Sequence, residues 1–478
     1  MIHMTETTAS AAGSWRELLG RDYLGATVVL AGGVAIYAIN EFITMSLLPS
    51  AVADIGGARL YAWVTTVYLV ASVTAATTVG PILTRFGPRT SYLGALLSFA
   101  AGSALCTLAP SMPLLLVGRV VQGLAGGVLA GLGYAVISAA LPDRLWTRAS
   151  AVVSAMWGIG TLVGPATGGL FAQFGLWRGG FGLLAVLAVV MSLLVPLALP
   201  ARPEPGTQAA PGTRIPVRSL LLLGLAALAV SAAAIPHDAA AIAGLLSVGV
   251  VLVALFVVVD RRSTAAVLPR KAFRAGPLKW IYLTLGLLMA ATMVDMYVPL
   301  FGQRLGALAP VVAGFLGAAL SVGWTVGEIA SASITNVRIT VRVVAIAPLV
   351  MAAGLGVAAL TQKDGAPMEV VALWALGLVV TGCGIGMAWP HLSAWAMGSV
   401  VDDPAQQAVA AAAISTVQLM CGAFGAGLAG VVVNLRMSPD AGASRSLFGL
   451  FAVLAVIGAV ASYRSGRGQV RERADAVS

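Results

Sequence analysis

The chain has 478 residues, of which 59% are hydrophobic and 10% charged, with a formal net charge of +10; a soluble domain carries about 25% charged residues. No soluble fold hides that much apolar surface, so the composition excludes a water-soluble enzyme or binding module and points to an all-α, polytopic membrane protein. The positive charge calls for no nucleic-acid partner, because membrane topology accounts for it.

Hydrophobic runs approaching or exceeding the roughly 20 residues that cross a bilayer recur along the chain, and fourteen are expected as transmembrane helices. The polar segment 1–25 before them lacks the basic start and cleavage site of a signal peptide, which keeps it cytoplasmic. Runs at 26–48, 61–83, 90–109, 113–140, 149–174 and 180–200 make a first six-helix bundle, 26–200. A cytoplasmic linker, 201–218, leads to an inserted helix pair, 219–259, with runs at 219–235 and 240–259. After a second linker, 260–278, runs at 279–301, 309–333, 343–361, 369–396, 408–434 and 447–463 make the second bundle, 279–463, and 464–478 is a basic tail. With both termini inside, inner segments hold 21 of the 28 lysines and arginines and outer loops hold six, Arg119 being the remainder. That is the bias the positive-inside rule demands.

Other chemistries lack their residues. No GxxxxGK[ST] occurs. GAGLAG at 425–430 satisfies GxGxxG, but it sits inside span 13, where glycines serve close helix packing. His3, His237 and His391 form neither HExxH nor a His/Cys cluster, and His391, after Pro390, reads as a hydrogen-bonded packing residue. Cys106, Cys383 and Cys421 fall within spans and read as apolar fillers, so neither a disulfide nor a metal is expected.

Four ionisable residues lie well inside spans: Glu41, Arg119, Asp295 and Glu328. Each costs about 2.5–3.5 kcal/mol at a helix centre on insertion scales, which makes function the default reading. Rise per residue places Glu41 and Arg119 at nearly one depth, so the two are expected to pair. Asp295 lies as far into span 9 as Glu41 into span 1, as two repeats would have it. A carboxyl group at that depth can switch protonation as its surroundings open and close. Tyr37, Met45, Trp157, Met293, Tyr297, Trp324, Trp389 and Gln418, with Asn40 and Gln122, are candidate substrate contacts. Aromatic faces attract cations and methionine adapts to varied apolar shapes. In GIGTLVGPATGGLFAQFG, Gly160, Gly164 and Gly168 recur every four residues and line one helix face, while Pro165 removes a helical hydrogen bond.

Gly160-x3-Gly164-Pro165-x2-Gly168-Gly169, followed by Trp177, Arg178 and Phe181, resembles the antiporter motif of the fourteen-span drug:proton antiporters of the major facilitator superfamily. Arg119-x2-Gln122-Gly123 resembles their fourth-span motif, whose arginine is implicated in proton transfer. GPILTRFGPR resembles their gating loop, with Gly80, Arg85, Gly87 and Arg89 in place, Thr84 where the family has an acid, and Arg338 and Arg342 as a weak counterpart. The common first-span aspartate is Asn40 here, with Glu41 beside it. The resemblance implies two six-helix bundles plus two extra helices, with the bent glycine face of span 5 packed against the other half. It also implies a monomeric, cofactor-free exporter of amphipathic or cationic compounds in the cytoplasmic membrane, driven by the proton gradient. A dedicated lipid or secreted-metabolite exporter of the same fold is the alternative, and a membrane enzyme or sensor is the weaker class.

Overall fold

A computed structural model describes residues 14–200, 215–274, 276–334, 336–399, 404–436 and 440–475, and every regular element among them is helical. Each expected run overlaps a helix of its own, although the run 61–83 extends from α2 into the start of α3. The first six are α1 (Arg21–Ile55), α2 (Trp63–Ala76), α3 (Val79–Thr107), α4 (Met112–Ala135), α5 (Trp146–Gln173) and α6 (Trp177–Ala198). The inserted pair is α7 (Val217–Ala232) and α8 (Ala239–Arg262). The last six are α9 (Leu278–Leu305), α10 (Pro310–Ala332), α11 (Val337–Thr361), α12 (Met368–Gly398), α13 (Pro404–Asn434) and α14 (Ala441–Asp475). Among the described residues twelve helices are long and apolar enough to cross a bilayer; α7, with 16 residues, and α2, with 14, are shorter. Most of the first linker, and the part of the amino-terminal segment before Ser14, lie outside the described residues.

Helix limits depart from the hydrophobic runs where backbone chemistry intervenes. Span 2 was expected as one run to residue 83, yet α2 ends at Ala76 and helix resumes at Val79. The reversal into span 3 comes at Gly87, whose φ of 73° favours glycine, and Pro88 starts the next helical stretch. Within α9, residues Met293–Tyr297 tighten into a 3-10 turn. Pro299 has no N–H to donate to the carbonyl four residues back, that of Asp295, so the α-helical ladder cannot continue there. α14 runs to Asp475, carrying the expected basic tail into the helix.

The two six-helix sets repeat one packing scheme. Glycines of α4 meet α2 backbone: a Cβ at Gly123 would lie 2.5 Å from the Tyr68 carbonyl oxygen. The same relation joins α10 and α12, where Gly323 and Gly382 face the carbonyls of Val379 and Leu320. Only glycine permits such approach, and small residues at helix interfaces replace the hydrophobic drive that lipid does not supply. Likewise α1 packs on α5, and α9 on α13, whose Gly425 faces the Ala290 carbonyl. The GAGLAG glycines are thus a packing surface, Gly427 meeting Ser231 of α7 and Gly430 meeting Ala62.

The halves meet along two seams, α5 with α10 and α2 with α13. α7 lies along the second seam: Trp63 Nε1 donates to the Ser231 carbonyl (3.0 Å) and Ser231 Oγ to Thr66 Oγ1 (2.9 Å). Val73, Leu220, Leu223, Phe256 and Met420 fill it with a small apolar cluster.

Candidate substrate cavity

A cavity of about 400 Å³ lies between the halves. Glu41 of α1, Asp295 of the 3-10 turn and Glu328 of α10 all line it, and its lining holds no lysine, arginine or histidine. Asp295 is 6% exposed and its Oδ1 has no hydrogen-bond partner among the described residues. Trp324 Nε1 donates to Glu328 Oε2 (3.1 Å), and the rings of Trp324 and Trp389 lie 5.3 Å apart at 54°. Behind them Ser331 Oγ lies 2.7 Å from His391 Nε2, which places His391 in a hydrogen bond on the α10–α12 interface.

One end of the cavity is shut. A Cβ at Gly169 would lie 2.5 Å from Val311 Cα, and one at Gly314 would lie 2.7 Å from Ser46 Oγ and 3.2 Å from the Pro165 carbonyl oxygen. Tyr61 stacks on Tyr297 (4.7 Å, 19°) and donates to the Met296 carbonyl (3.2 Å). Toward the other end, where the Gly87 reversal lies, the lining residues Ser154, Gly158 and Thr325 are exposed. The chain therefore stands with its halves closed at one end and parted at the other.

The expected site residues divide into separate groups. Trp157, Met293, Trp324, Trp389 and Gln418 line the cavity with the three carboxylates. Tyr37 stacks on Tyr68 (5.8 Å) and meets Trp157 edge-on (5.6 Å) as part of the wall behind. Met45 is buried in α1 and Tyr297 sits at the shut end, neither lining this cavity.

The expected Glu41–Arg119 ion pair is not formed. Arg119 Nη1 donates to Asn40 Oδ1 (3.1 Å) and Gln122 Oε1 (2.8 Å), and Nε donates to the Val64 carbonyl (3.1 Å). The guanidinium also lies 4.1 Å from the Tyr68 ring centroid, and Gln122 Nε2 donates to Ser103 Oγ (2.8 Å). Neighbouring helix residues point about 100° apart, so Asn40 can face α4 while its neighbour Glu41 faces the cavity. Depth alone could not distinguish them.

The bare face of α5 is also placed differently from expectation. Gly160, Gly164 and Gly168 accept Ala38, Phe42 and Ile43 of α1, within the same half. Of this motif, Pro165 and Gly169 approach the backbone of the other half, near the shut end. In the loop between spans 2 and 3, Thr84 Oγ1 donates to the Gly80 carbonyl (2.7 Å), a bond within its own helix. Arg85 lies over Phe86 (5.5 Å) and Arg89 Nε donates to the Leu199 carbonyl (3.0 Å).

Tyr134, Thr161, Met289, Ser321 and Thr325 line the cavity without having been singled out from the sequence. A signal existed for three of them. Ser321, Thr325 and Glu328 recur at i, i+4 and i+7 along an otherwise apolar run, and Ser154, Trp157 and Thr161 share one face of α5 at i, i+3 and i+7.

The profile of the Major Facilitator Superfamily matches residues 30–430. The chain belongs to this superfamily. A probable multidrug-efflux transporter of Mycobacterium tuberculosis (strain ATCC 25618 / H37Rv) is 61% identical over 465 residues, 97% of this chain and 98% of that protein. A multidrug transporter protein of Bacillus subtilis (strain 168) is 24% identical over 409 residues, covering 84% of this chain and 73% of its own length. Among solved structures, the nucleoside transporter NupG aligns with a TM-score of 0.65 at 15% identity, covering 92% of this chain and 98% of its own. This superfamily member is accordingly a multi-pass membrane transporter and not an enzyme.

Proposed function

We propose that this transporter exports amphipathic, chiefly cationic compounds from the cytoplasm in exchange for protons. The carrying observation is the charge of the cavity: three carboxylates and no basic side chain line a space walled by tryptophan and methionine between two parting halves. An organic cation there gains both a carboxylate and aromatic faces, and a proton competes with it for the same carboxylates. Exchange follows if each occupant must leave before the other binds. The 61% identical relative, named a probable multidrug-efflux transporter, supports the same direction and substrate breadth.

In this reading α2 and α7 also cross the membrane, which gives fourteen spans, both termini are cytoplasmic, and the parted end of the cavity opens inward. A monomer suffices, since both halves lie in one chain, and the proton gradient replaces any cofactor. Fluorescent-cation uptake into inverted vesicles under an imposed pH gradient tests the proposal, with Glu41→Gln and Asp295→Asn beside the parent. Gradient-driven uptake lost in the amides, with cationic-dye binding weakened and no longer opposed by protons, is the expected result. Parent-rate transport in both amides would remove proton coupling through these groups.

A further inference from the structure

A second cavity, about 190 Å³, lies at the shut end, on the far side of the Tyr61–Tyr297 stack from the carboxylates. Its polar lining is Arg59 and Tyr61 from the connection after α1, Tyr297 and Arg304 of α9, and Asn434 and Arg436 at the end of α13. Three arginines thus line one small space, Arg59 half-buried and Arg304 and Arg436 exposed, and among the described residues no carboxylate lines it. None of the three forms an ion pair among the described residues, where Arg144–Glu17 and Arg178–Asp54 are the pairs formed. The nearest acid along the chain, Asp440, is engaged as a helix cap: its Oδ1 accepts from Ala443 N (2.8 Å), and it flanks Arg436 beside Gly442.

The surroundings hold this arrangement in place. Arg59 Nη1 donates to the Ile235 carbonyl and its Nη2 contacts His237 Nε2, while Asn434 Nδ2 donates to the carbonyls of Arg59 (3.0 Å) and Ala234 (3.1 Å). Tyr61 spends its hydroxyl on Met296, but the Tyr297 hydroxyl is 1% exposed, lines the cavity and has no partner. A buried hydroxyl left unpaired costs free energy. So do like charges gathered across a seam.

We propose that this cavity binds a phosphate-type oxyanion, free or carried on a lipid headgroup, and that the bound anion holds the outer end closed. Guanidinium forks match oxyanion geometry and bind it by charge-assisted hydrogen bonds, and the Tyr297 hydroxyl adds a neutral donor. Arg59 comes from the amino-terminal half while Arg304 and Arg436 come from the other, so parting the halves dismantles the site. A ligand that binds only the closed arrangement shifts the population toward it. The inference rests on the alternating-access reading above and adds an outer anion to it.

The probe is inorganic phosphate, titrated against chloride at equal ionic strength on detergent-purified protein. Two readouts are followed: the thermal transition, and thiol labelling of Ser46→Cys in a background lacking Cys106, Cys383 and Cys421. Phosphate raises the transition and slows labelling. Arg304→Gln weakens half-saturation by about tenfold, the step that one charge-assisted hydrogen bond is worth, and Tyr297→Phe weakens it less while preserving shape. Slower labelling in phosphatidylglycerol than in phosphatidylcholine vesicles, without added phosphate, identifies a lipid headgroup as the source. The proposal is overturned if neither phosphate nor the anionic lipid slows labelling, or if Arg304→Gln and Arg59→Gln respond like the parent. Dye export measured on the same preparations separates the two readings: an exporting parent indifferent to anions sinks only this one.

Discussion

Gly169 and Gly164 belong to one motif but serve different interfaces, which makes them a matched pair for perturbation. A methyl group at residue 169 would lie 2.5 Å from Val311 Cα, 2.9 Å from Val311 N and 3.0 Å from the Pro310 carbonyl oxygen, all backbone of the other half. Ordinary contact begins at 3.4 Å, so Gly169→Ala forces the shut ends of α5 and α10 apart by about 1 Å. Overpacking of this kind costs about 1–3 kcal/mol. Here the cost falls on the closed arrangement of the shut end alone, since opening removes the contact. At about 1.4 kcal/mol per factor of ten, the closed-to-open ratio should drop roughly tenfold to a hundredfold. Gly164→Ala sets a methyl 2.5 Å from Phe42 Cβ and 3.1 Å from Ile43 N, within one half, so it should lower thermal stability and leave the ratio unchanged. The assay is maleimide labelling from outside at Ser46→Cys, a position 1% exposed in this state. Faster labelling in Gly164→Ala than in Gly169→Ala would refute the assignment of the two glycines to different interfaces.

Three further outcomes follow from the geometry. Asn40→Ala removes an acceptor from the buried Arg119 guanidinium and should destabilise the protein by about 1.5–3 kcal/mol, the worth of a hydrogen bond to a charged group; Glu41→Gln should cost much less, and thermal unfolding of both variants compares them. Trp324→Phe keeps an aromatic face but loses the donor to Glu328, so cationic dyes should bind more weakly while neutral ones are spared, as direct binding would show. At the membrane surface, the Arg144 guanidinium beside Glu17 holds that carboxyl below its usual range. A depressed pKa means that the contribution of the pair is complete above the ordinary glutamate range and is lost as pH falls through the lowered value. Amide hydrogen exchange of residues 16–18, corrected for its intrinsic pH dependence, should accordingly rise on acidification, and in Glu17→Gln already at neutral pH.

Much of this architecture was legible because hydrophobic length and the positions of glycine and proline are local properties. Thirteen of the fourteen expected runs lie mainly on one helix each, the run 61–83 being divided at residues 77–78, and Gly160, Gly164 and Gly168 do line a close helix contact. What escaped was facing. The four-residue glycine spacing announces a bare strip without saying which helix covers it, and here α1 covers it in place of the other half. The same limit misplaced Arg119, since depth along α1 serves Asn40 and Glu41 equally, and only rotation about the axis assigns one to Arg119 and the other to the cavity. Tyr297, two residues beyond Asp295, reads from the sequence as a midspan substrate contact. The 3-10 turn that Pro299 imposes separates them, leaving Asp295 in the cavity and Tyr297 at the seal.

The distribution of close contacts argues for how such a molecule moves. Within each half, glycines let backbones touch along whole helices: α4 lies on α2, α12 on α10, and α5 on α1, with virtual Cβ distances of 2.8 Å or less at Gly123, Gly382 and Gly160. Packed surfaces of that kind are bistable and resist gradual deformation. Between the halves, contact of comparable tightness on the α5–α10 seam is confined to its shut end, around Gly169 and Gly314, and gives way to an open cavity farther along. The compliant places are therefore the seams. The carboxylates sit beside them, Glu41 on one half and Asp295 with Glu328 on the other. Rigid halves rocking about a fixed cavity would change the surroundings of these groups while leaving their distances within each half nearly constant. Transport then needs no rearrangement inside either bundle, only a change in which end of the seam is closed.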